Sequence, residues 1–205
     1  MYPAKPGLII GFHGCDKTLR NKIINGKALL KASTNDYDWL GNGMYFWENN
    51  QQRAMDFAKE LKKNPRTGKE EIKTPSVLGA VIDMGYCLDL LDTEYLQFVK
   101  QSYNALADSY HLLHLPLPVN RPLKGSEDLL LRKLDCAVIE NLHLSRNKNS
   151  LRPFDTARGV FIEGKTLYPN AGFNEKNHIQ ICIRNINCIK GFFIPRSADN
   201  NFQIP

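Results

Sequence analysis

Three short stretches of the chain place hydrogen-bonding, stacking or proton-transferring groups at the ends of apolar runs. The first is Phe12-His13-Gly14, which closes the run GLIIGFHG. A strand-end histidine can bond a hydroxylated ligand, and the adjacent glycine lets the main chain approach closely enough to offer N–H and C=O to an amide. Alone, such a histidine also reads as structural. In the second stretch, Gly41 and Gly43 flank Asn42 and lead into Met44-Tyr45-Phe46-Trp47. This reads as a turn into a strand whose alternate side chains face opposite sides. Tyr45 and, a helical stretch later, Phe57 offer two rings between which a flat heteroaromatic can stack. The same rings also suit an aromatic corner of the core. The third stretch is Asn177-His178-Ile179-Gln180-Ile181-Cys182-Ile183-Arg184. In a strand its isoleucines share the core face, while His178, Gln180, Cys182 and Arg184 share a face that should line a cleft or meet solvent. The loop before it carries Glu175, which reads either as a substrate-positioning acid or as an exposed acid beside Lys176.

The intervening sequence supplies the elements that must hold these groups. GLIIGFHG suits a buried strand, and DKTLRNKIING a short helix with Asp16 as cap and Asn25-Gly26 as stop. NNQQRAMDFAKELKK puts Ala54, Phe57, Ala58 and Leu61 on one stripe of an amphipathic helix. SVLGAVIDMGYCLDL reads as one core strand. DTEYLQFVKQSYNALADSY and EDLLLRKLDCAVIENLHL read as helices separated by the proline-rich LPLPVNRPLKG. From residue 158, RGVFIEG, HIQICIRN and NCIKGFFIP read as three strands. Strands thus concentrate at both ends with helices between them. This predicts one α+β domain over 1–205, with a helical insertion at about 92–150 and the first and last strands able to pair in one core.

Composition narrows the partners. The 205 residues suffice for one domain with a sizeable core, and the N-terminal apolar stretch is too short for a signal peptide. No run approaches the length of a membrane span, so a cytoplasmic protein with no membrane partner is expected. Five cysteines with no CxxC pair predict reduced thiols, mostly in the core, and no metal site. The net charge of +6 is clustered at Lys59, Lys62, Lys63, Arg66, Lys69 and Lys73 and again at Arg146, Lys148 and Arg152. Such clusters attract nucleic acid or an acidic protein, or simply keep loops solvated.

Taken together, His-Gly after an early strand, Gly-x-Gly-Met-Tyr-Phe before an alanine-bearing helix, and a late strand entered from a loop resemble the ADP-ribosyltransferase superfamily. The branch resembled is that of diphtheria toxin and poly(ADP-ribose) polymerase. The likeness covers roughly residues 8–61 and 158–195, and the helical middle matches nothing in it. It implies a core of two packed antiparallel sheets, NAD as substrate, and a bacterial toxin or phage-defence effector. His13 would then hold a ribose, and Gly14 would fix the nicotinamide carboxamide through its main chain. Gly43 would shape the turn, and Tyr45 and Phe57 would flank the ring. The family's glutamate falls at Gln180 when the strand is aligned by its alternation, with His178 two residues earlier on the same face and Glu175 as an alternative carboxylate. Without a glutamate, a single ADP-ribose transfer to nucleic acid or protein is implied, restrained by an antitoxin or inhibitor protein. An NAD glycohydrolase, a non-catalytic NAD or ADP-ribose module, and an RNA 2′-phosphotransferase using Arg158 and Arg184 stay alongside.

Overall fold

The computed structural model describes residues 7–65, 71–123 and 128–203. Strand β1 (Ile9–Asp16) runs directly into α1 (Lys17–Ile24), whose first turn is capped by the Asp16 carboxylate accepting from Thr18 N–H at 2.7 Å. The glycine turn opens β2 (Met44–Glu48), and Asn50 caps α2 (Gln51–Lys63), whose apolar stripe buries Ala54 and Ala58. β3 (Pro75–Ile82) and β4 (Cys87–Asp89) follow, then α3 (Thr93–Leu112), a two-stranded ribbon of β5 (Asn120–Arg121) and β6 (Leu131–Arg132), and α4 (Lys133–Lys148). The chain closes with β7 (Thr156–Phe161), β8 (His178–Ile183) and β9 (Ile189–Phe193).

Seven strands form one sheet in the order β4-β7-β8-β2-β1-β3-β9. The mixed α and β composition agrees with the α+β expectation, but the two separate antiparallel sheets do not. β1 joins β2 through only two residue pairs, Gly11↔Glu48 and Phe12↔Trp47, and that short seam links the ribbon β1-β3-β9 to the ribbon β2-β8-β7-β4. Nor is the sheet wholly antiparallel, because β4 pairs parallel with β7. Parallel neighbours need a crossover, and the helical middle supplies it: α3 and α4 carry the chain from β4 back to the same edge. Ser102 Oγ donates to Val138 O at 2.8 Å where the two helices meet.

Three further expectations change. SVLGAVIDMGYCLDL is broken between β3 and β4, where Gly85 adopts φ +56° and its N–H donates to Asp83 Oδ1 at 3.0 Å, so the two halves reach different ribbons. The first and last strands do not pair with each other; β3 lies between them and bonds both. EDLLLRKLDCAVIENLHL becomes helical only from Lys133, after β6, and Glu127 lies outside the described residues.

The core divides by sheet face. Phe46, Leu78, Ile82, Ile181 and Ile183 pack with Ile23 of α1 on one side. On the other, Leu40, Leu88 and Cys182 pack with Ile139 and Leu142 of α4, while Trp47 and Val77 receive Ala54 of α2. All five cysteines are buried. Among the described residues, no helix is long and apolar enough to cross a membrane, and no group of three or more His, Cys, Asp or Glu side chains could hold a metal ion.

Candidate functional site

His13 lies inside β1 rather than at its end, but it stands where pairing with β2 stops. Asn49 N–H donates to Ile10 O on the β2 side, and Lys17 N–H donates to Thr74 O on the β3 side, both at 2.9 Å. Main-chain groups alternate edges along an antiparallel strand, so those of Phe12 and Gly14 face β2 and those of His13 and Cys15 face β3. The β1–β2 ladder ends at Phe12↔Trp47. The next residue on that edge, Gly14, therefore turns its N–H and C=O toward the widening gap between the strands. The His13 ring bridges the same gap, with Nδ1 2.8 Å from the Tyr45 carbonyl oxygen. A carbonyl only accepts, so Nδ1 carries the hydrogen and Nε2 the lone pair. Burial lowers the His13 pKa against the raising effect of that bond, which leaves the ring neutral at pH 7.

Gly14 also has a packing reason to be glycine. A Cβ there would collide with the carbonyl oxygen of Ala54, so α2 sits directly on the strand. Gly43 is held in the same way against Cys182 Sγ and the Ile183 carbonyl.

Tyr45 Oη donates to Gly41 O at 2.7 Å and accepts from Leu40 N–H at 3.0 Å, and burial pushes the phenol well above its ordinary pKa. The hydroxyl is thus tied to the turn that leads into its own strand. That turn is clamped from outside, since Glu140 Oε1 accepts from Asn42 N–H at 2.8 Å and Arg184 Nη1 donates to Asn42 O at 3.0 Å. Despite the opposing cost of burial, the Arg184 guanidinium and the Asn42 N–H hold the Glu140 pKa below the ordinary carboxylate value. Glu140 stabilises the fold fully above the unfolded carboxylate pKa, and that support is lost as pH falls through its lower folded value. Glu140→Gln should cost about 1–2 kcal/mol at pH 7, with the difference from wild type shrinking at acid pH in urea titrations.

The two expected ring partners pack in different clusters. Phe57 lies on Trp47, with centroids 4.9 Å apart and planes at 50°, while Tyr45 packs among Leu40 and Cys182. The stripe on α2 that buries Ala54 and Ala58 also aims Phe57 at β2 two residues beyond Tyr45.

β8 begins at His178. Gln180 is half-buried and pairs across to Trp47 on β2 and Gly159 on β7. Its face does not simply meet solvent: Cys182 is fully buried, because α4 and the Leu40 turn cover it. His178 is buried as well, stacked on Phe161 at 5.5 Å, with Nδ1–H donating to Lys176 O at 2.6 Å. Glu175 is exposed in the preceding loop, where its N–H donates to Lys165 O.

Direct contact therefore links His13 to Tyr45, while a separate group gathers at Trp47, whose ring meets Phe57 and His178 and whose strand position pairs with Gln180. Sequence reasoning missed Trp47 as a hub, together with Arg53 and Glu163, which form a buried ion pair at 2.8 Å. Strand alternation was the one signal for Trp47. Arg53 and Glu163 meet across 110 positions, and no local pattern couples them.

The two arginines of the phosphotransferase reading are committed to carboxylates. Arg158 joins Glu48 of β2 and Asp89 of β4, and Arg184 joins Glu140. Arg158→Met should cost about 3–5 kcal/mol, because it leaves charged carboxylates buried without the guanidinium; urea unfolding measures this. Of the basic clusters, Lys59, Lys62 and Lys63 are exposed on α2, whereas Arg66 and Lys69 lie outside the described residues. Arg146 stacks on Phe154 at 4.4 Å and Arg152 pairs with Asp155 at 3.1 Å. An open cleft of about 410 Å³ beside them is lined by His143, Asn147 and Arg184 among others, so of the sequence-derived candidates it takes in Arg184 but not His13, Tyr45, Phe57, His178 or Gln180. Comparison of the chain with protein-family models, curated proteins and solved structures finds no match.

Proposed function

We propose that the protein is a mono-ADP-ribosyltransferase that takes ADP-ribose from NAD and passes it to a macromolecular acceptor. The observation that carries this reading is the parting of β1 from β2 at His13, where the imidazole bridges to Tyr45 and the Gly14 main chain faces the gap. A carboxamide needs one donor and one acceptor side by side, and a strand edge without a neighbour offers both. His13 then has its Nε2 lone pair for a ribose hydroxyl, and Tyr45 offers a ring rather than its tied hydroxyl. Gln180 accepts a hydrogen bond from the nicotinamide ribose. In the reaction the C1′–N bond breaks, its electron pair leaves with neutral nicotinamide, and the cation-like sugar is captured by an acceptor that gives up a proton. An amide at Gln180 stabilises that cation less than a carboxylate does, which fits one transfer rather than polymer growth.

The exposed lysines of α2 favour nucleic acid over protein as acceptor, and an inhibitor protein would be needed where such an activity threatens its own cell. The commitment of Arg158 and Arg184 to carboxylates weighs against the phosphotransferase reading. Incubation with labelled NAD plus RNA, DNA or lysate separates the others. Label on a macromolecule supports transfer, free ADP-ribose alone a glycohydrolase, and intact NAD a binding module. Gln180→Ala should lower turnover by tenfold or more, on the order expected for lost transition-state hydrogen bonding. Glu175→Ala, at an exposed loop position, should stay within about twofold on the same argument.

A further inference from the structure

The open cleft of about 410 Å³ at the end of α4 falls within the range of roughly 300–1,000 Å³ typical of ligand clefts. Its lining includes His143, Asn147, Phe154, Asp155 and Arg184. The surroundings are cationic. Arg146 lies on Phe154, with Cζ 4.4 Å from the ring, and Arg152 pairs with Asp155 at 3.1 Å. Both guanidinium groups also lie over the Tyr86 ring, at 5.4 Å and 5.0 Å from its centroid. Lys148 is exposed in the same last turn of α4 that carries Arg146.

Two like charges gathered on one ring repel each other unless anions stand close by. Asp155 answers only Arg152: its Oδ2 accepts from Arg152 Nη2 and Tyr86 N–H, and its Oδ1 accepts from Asn185 Nδ2. Arg146 has no carboxylate partner among the described residues, and its Nε–H donates to Arg152 O. Glu140 is taken by Arg184. The buried His143 ring senses the remaining excess, since Arg184 and Arg146 add to desolvation in lowering its pKa. These cations stand on three segments, the last turn of α4, the loop before β7 and the residue after β8, around an open cleft. A ligand with several anionic groups therefore meets more of them than a single small anion does. The exposed Asn147 amide bonds no other described residue and offers a donor and an acceptor side by side. A base edge matches both, whereas a row of carboxylates only accepts.

We propose that this cleft binds a nucleic-acid strand, with phosphates at Arg146, Lys148 and Arg152 and a base edge at Asn147. Its purpose rests on the transferase reading above, for which it holds the acceptor strand; binding itself needs no NAD. Arg184 links the cleft to the proposed NAD site. It lines the cleft and donates to Asn42 O, in the turn whose Gly41 carbonyl accepts from Tyr45 Oη. The role is binding and positioning of the strand; no bond changes in the cleft.

The test is fluorescence anisotropy of a labelled single-stranded RNA oligonucleotide, measured without NAD over a series of salt concentrations. Wild type should bind with an affinity that falls steeply as salt rises. Lys148→Gln combined with Arg152→Gln, both at exposed positions, should weaken binding on the order of tenfold at low salt and flatten the salt slope by about 0.7 per lost contact. Asn147→Glu, which adds a carboxylate to the cleft, should weaken it more than Asn147→Ala does. Binding lost with Gln at Lys59, Lys62 and Lys63 of α2 but kept within about twofold by the folded variants at the cleft overturns this inference alone. A polyglutamate peptide bound as tightly as the RNA assigns the cleft to an acidic protein and overturns it too, as does a wild-type protein that binds no RNA. RNA binding that follows the cleft variants in a protein that releases no nicotinamide from NAD upholds the cleft and overturns the transferase reading.

Discussion

No folded protein is expected from Gly14→Val. A side chain at residue 14 points into the first turns of α2, where the nearest atoms are the carbonyl of Ala54 and the main chain of Ala58. These are backbone atoms held by helical hydrogen bonds, so no rotamer change makes room. The helix must lift from β1, which exposes Ala54 and Ala58, both fully buried, and loosens Trp47. Ordinary overpacking costs about 1–3 kcal/mol, and a branched side chain against rigid backbone exceeds that range while total stability is only about 5–15 kcal/mol. Gly14→Ala should survive with a loss of about 3 kcal/mol, read from urea unfolding followed by tryptophan fluorescence. An alanine variant as stable as wild type would mean that α2 is not seated on β1. Because packing alone demands glycine here, lost activity in Gly14 variants says nothing about nicotinamide binding.

Acid should destabilise the protein well above the carboxylate range, and His143 should account for much of that. This α4 histidine is buried; desolvation first, then Arg184 and Arg146, push its pKa down to about 4, with Glu140 opposing. The unfolded chain titrates at the ordinary value of 6.5. A depressed folded pKa means that the unfolded state takes up the proton first. The full contribution is therefore present above 6.5 and is lost as pH falls from 6.5 toward 4. At pH 4 the loss from this one group is about 3 kcal/mol. His13 and His178 shift in the same direction through burial and add to the same limb. His143→Phe removes the titration and an unpaired buried nitrogen together. Its stability at pH 7 should match or exceed that of wild type, and its urea midpoint should change less between pH 7 and pH 4. Equal slopes for the two proteins would contradict the assignment.

Local patterns made most elements legible. Asp16 as a cap, the alanine stripe of α2 and the alternating isoleucines of β8 are short-range signals, and each corresponds to an observed element. What escaped was set by long-range pairing. Nothing near residue 87 says that β4 will cross to the far edge and run parallel to β7, because that depends on where α3 and α4 return the chain. Nothing in SVLGAVIDMGYCLDL marks the break except Gly85, whose positive φ is visible only in three dimensions. For the site, His13 and Tyr45 were picked out as types and found in contact. Phe57, expected to flank a ring together with Tyr45, packs on Trp47 two residues along the same strand, and a helix that begins at Gln51 gives no register to choose between the two rings. Arg53 and Glu163 carried no signal, since each looks like an ordinary surface charge until the fold brings the segment after β7 to α2.

The central claim is that NAD is bound and cleaved where β1 and β2 part. Nicotinamide release from NAD, followed by chromatography, tests it most directly when wild type is compared with His13→Ala and Tyr45→Ala at matched folding. Wild type should release nicotinamide, and both variants should fall by a factor on the order of a hundred or more, as expected when a group that orients the reacting ribose or stacks on the leaving ring is lost. Release at equal rates by all three proteins, or no release and no NAD binding by wild type, would contradict it.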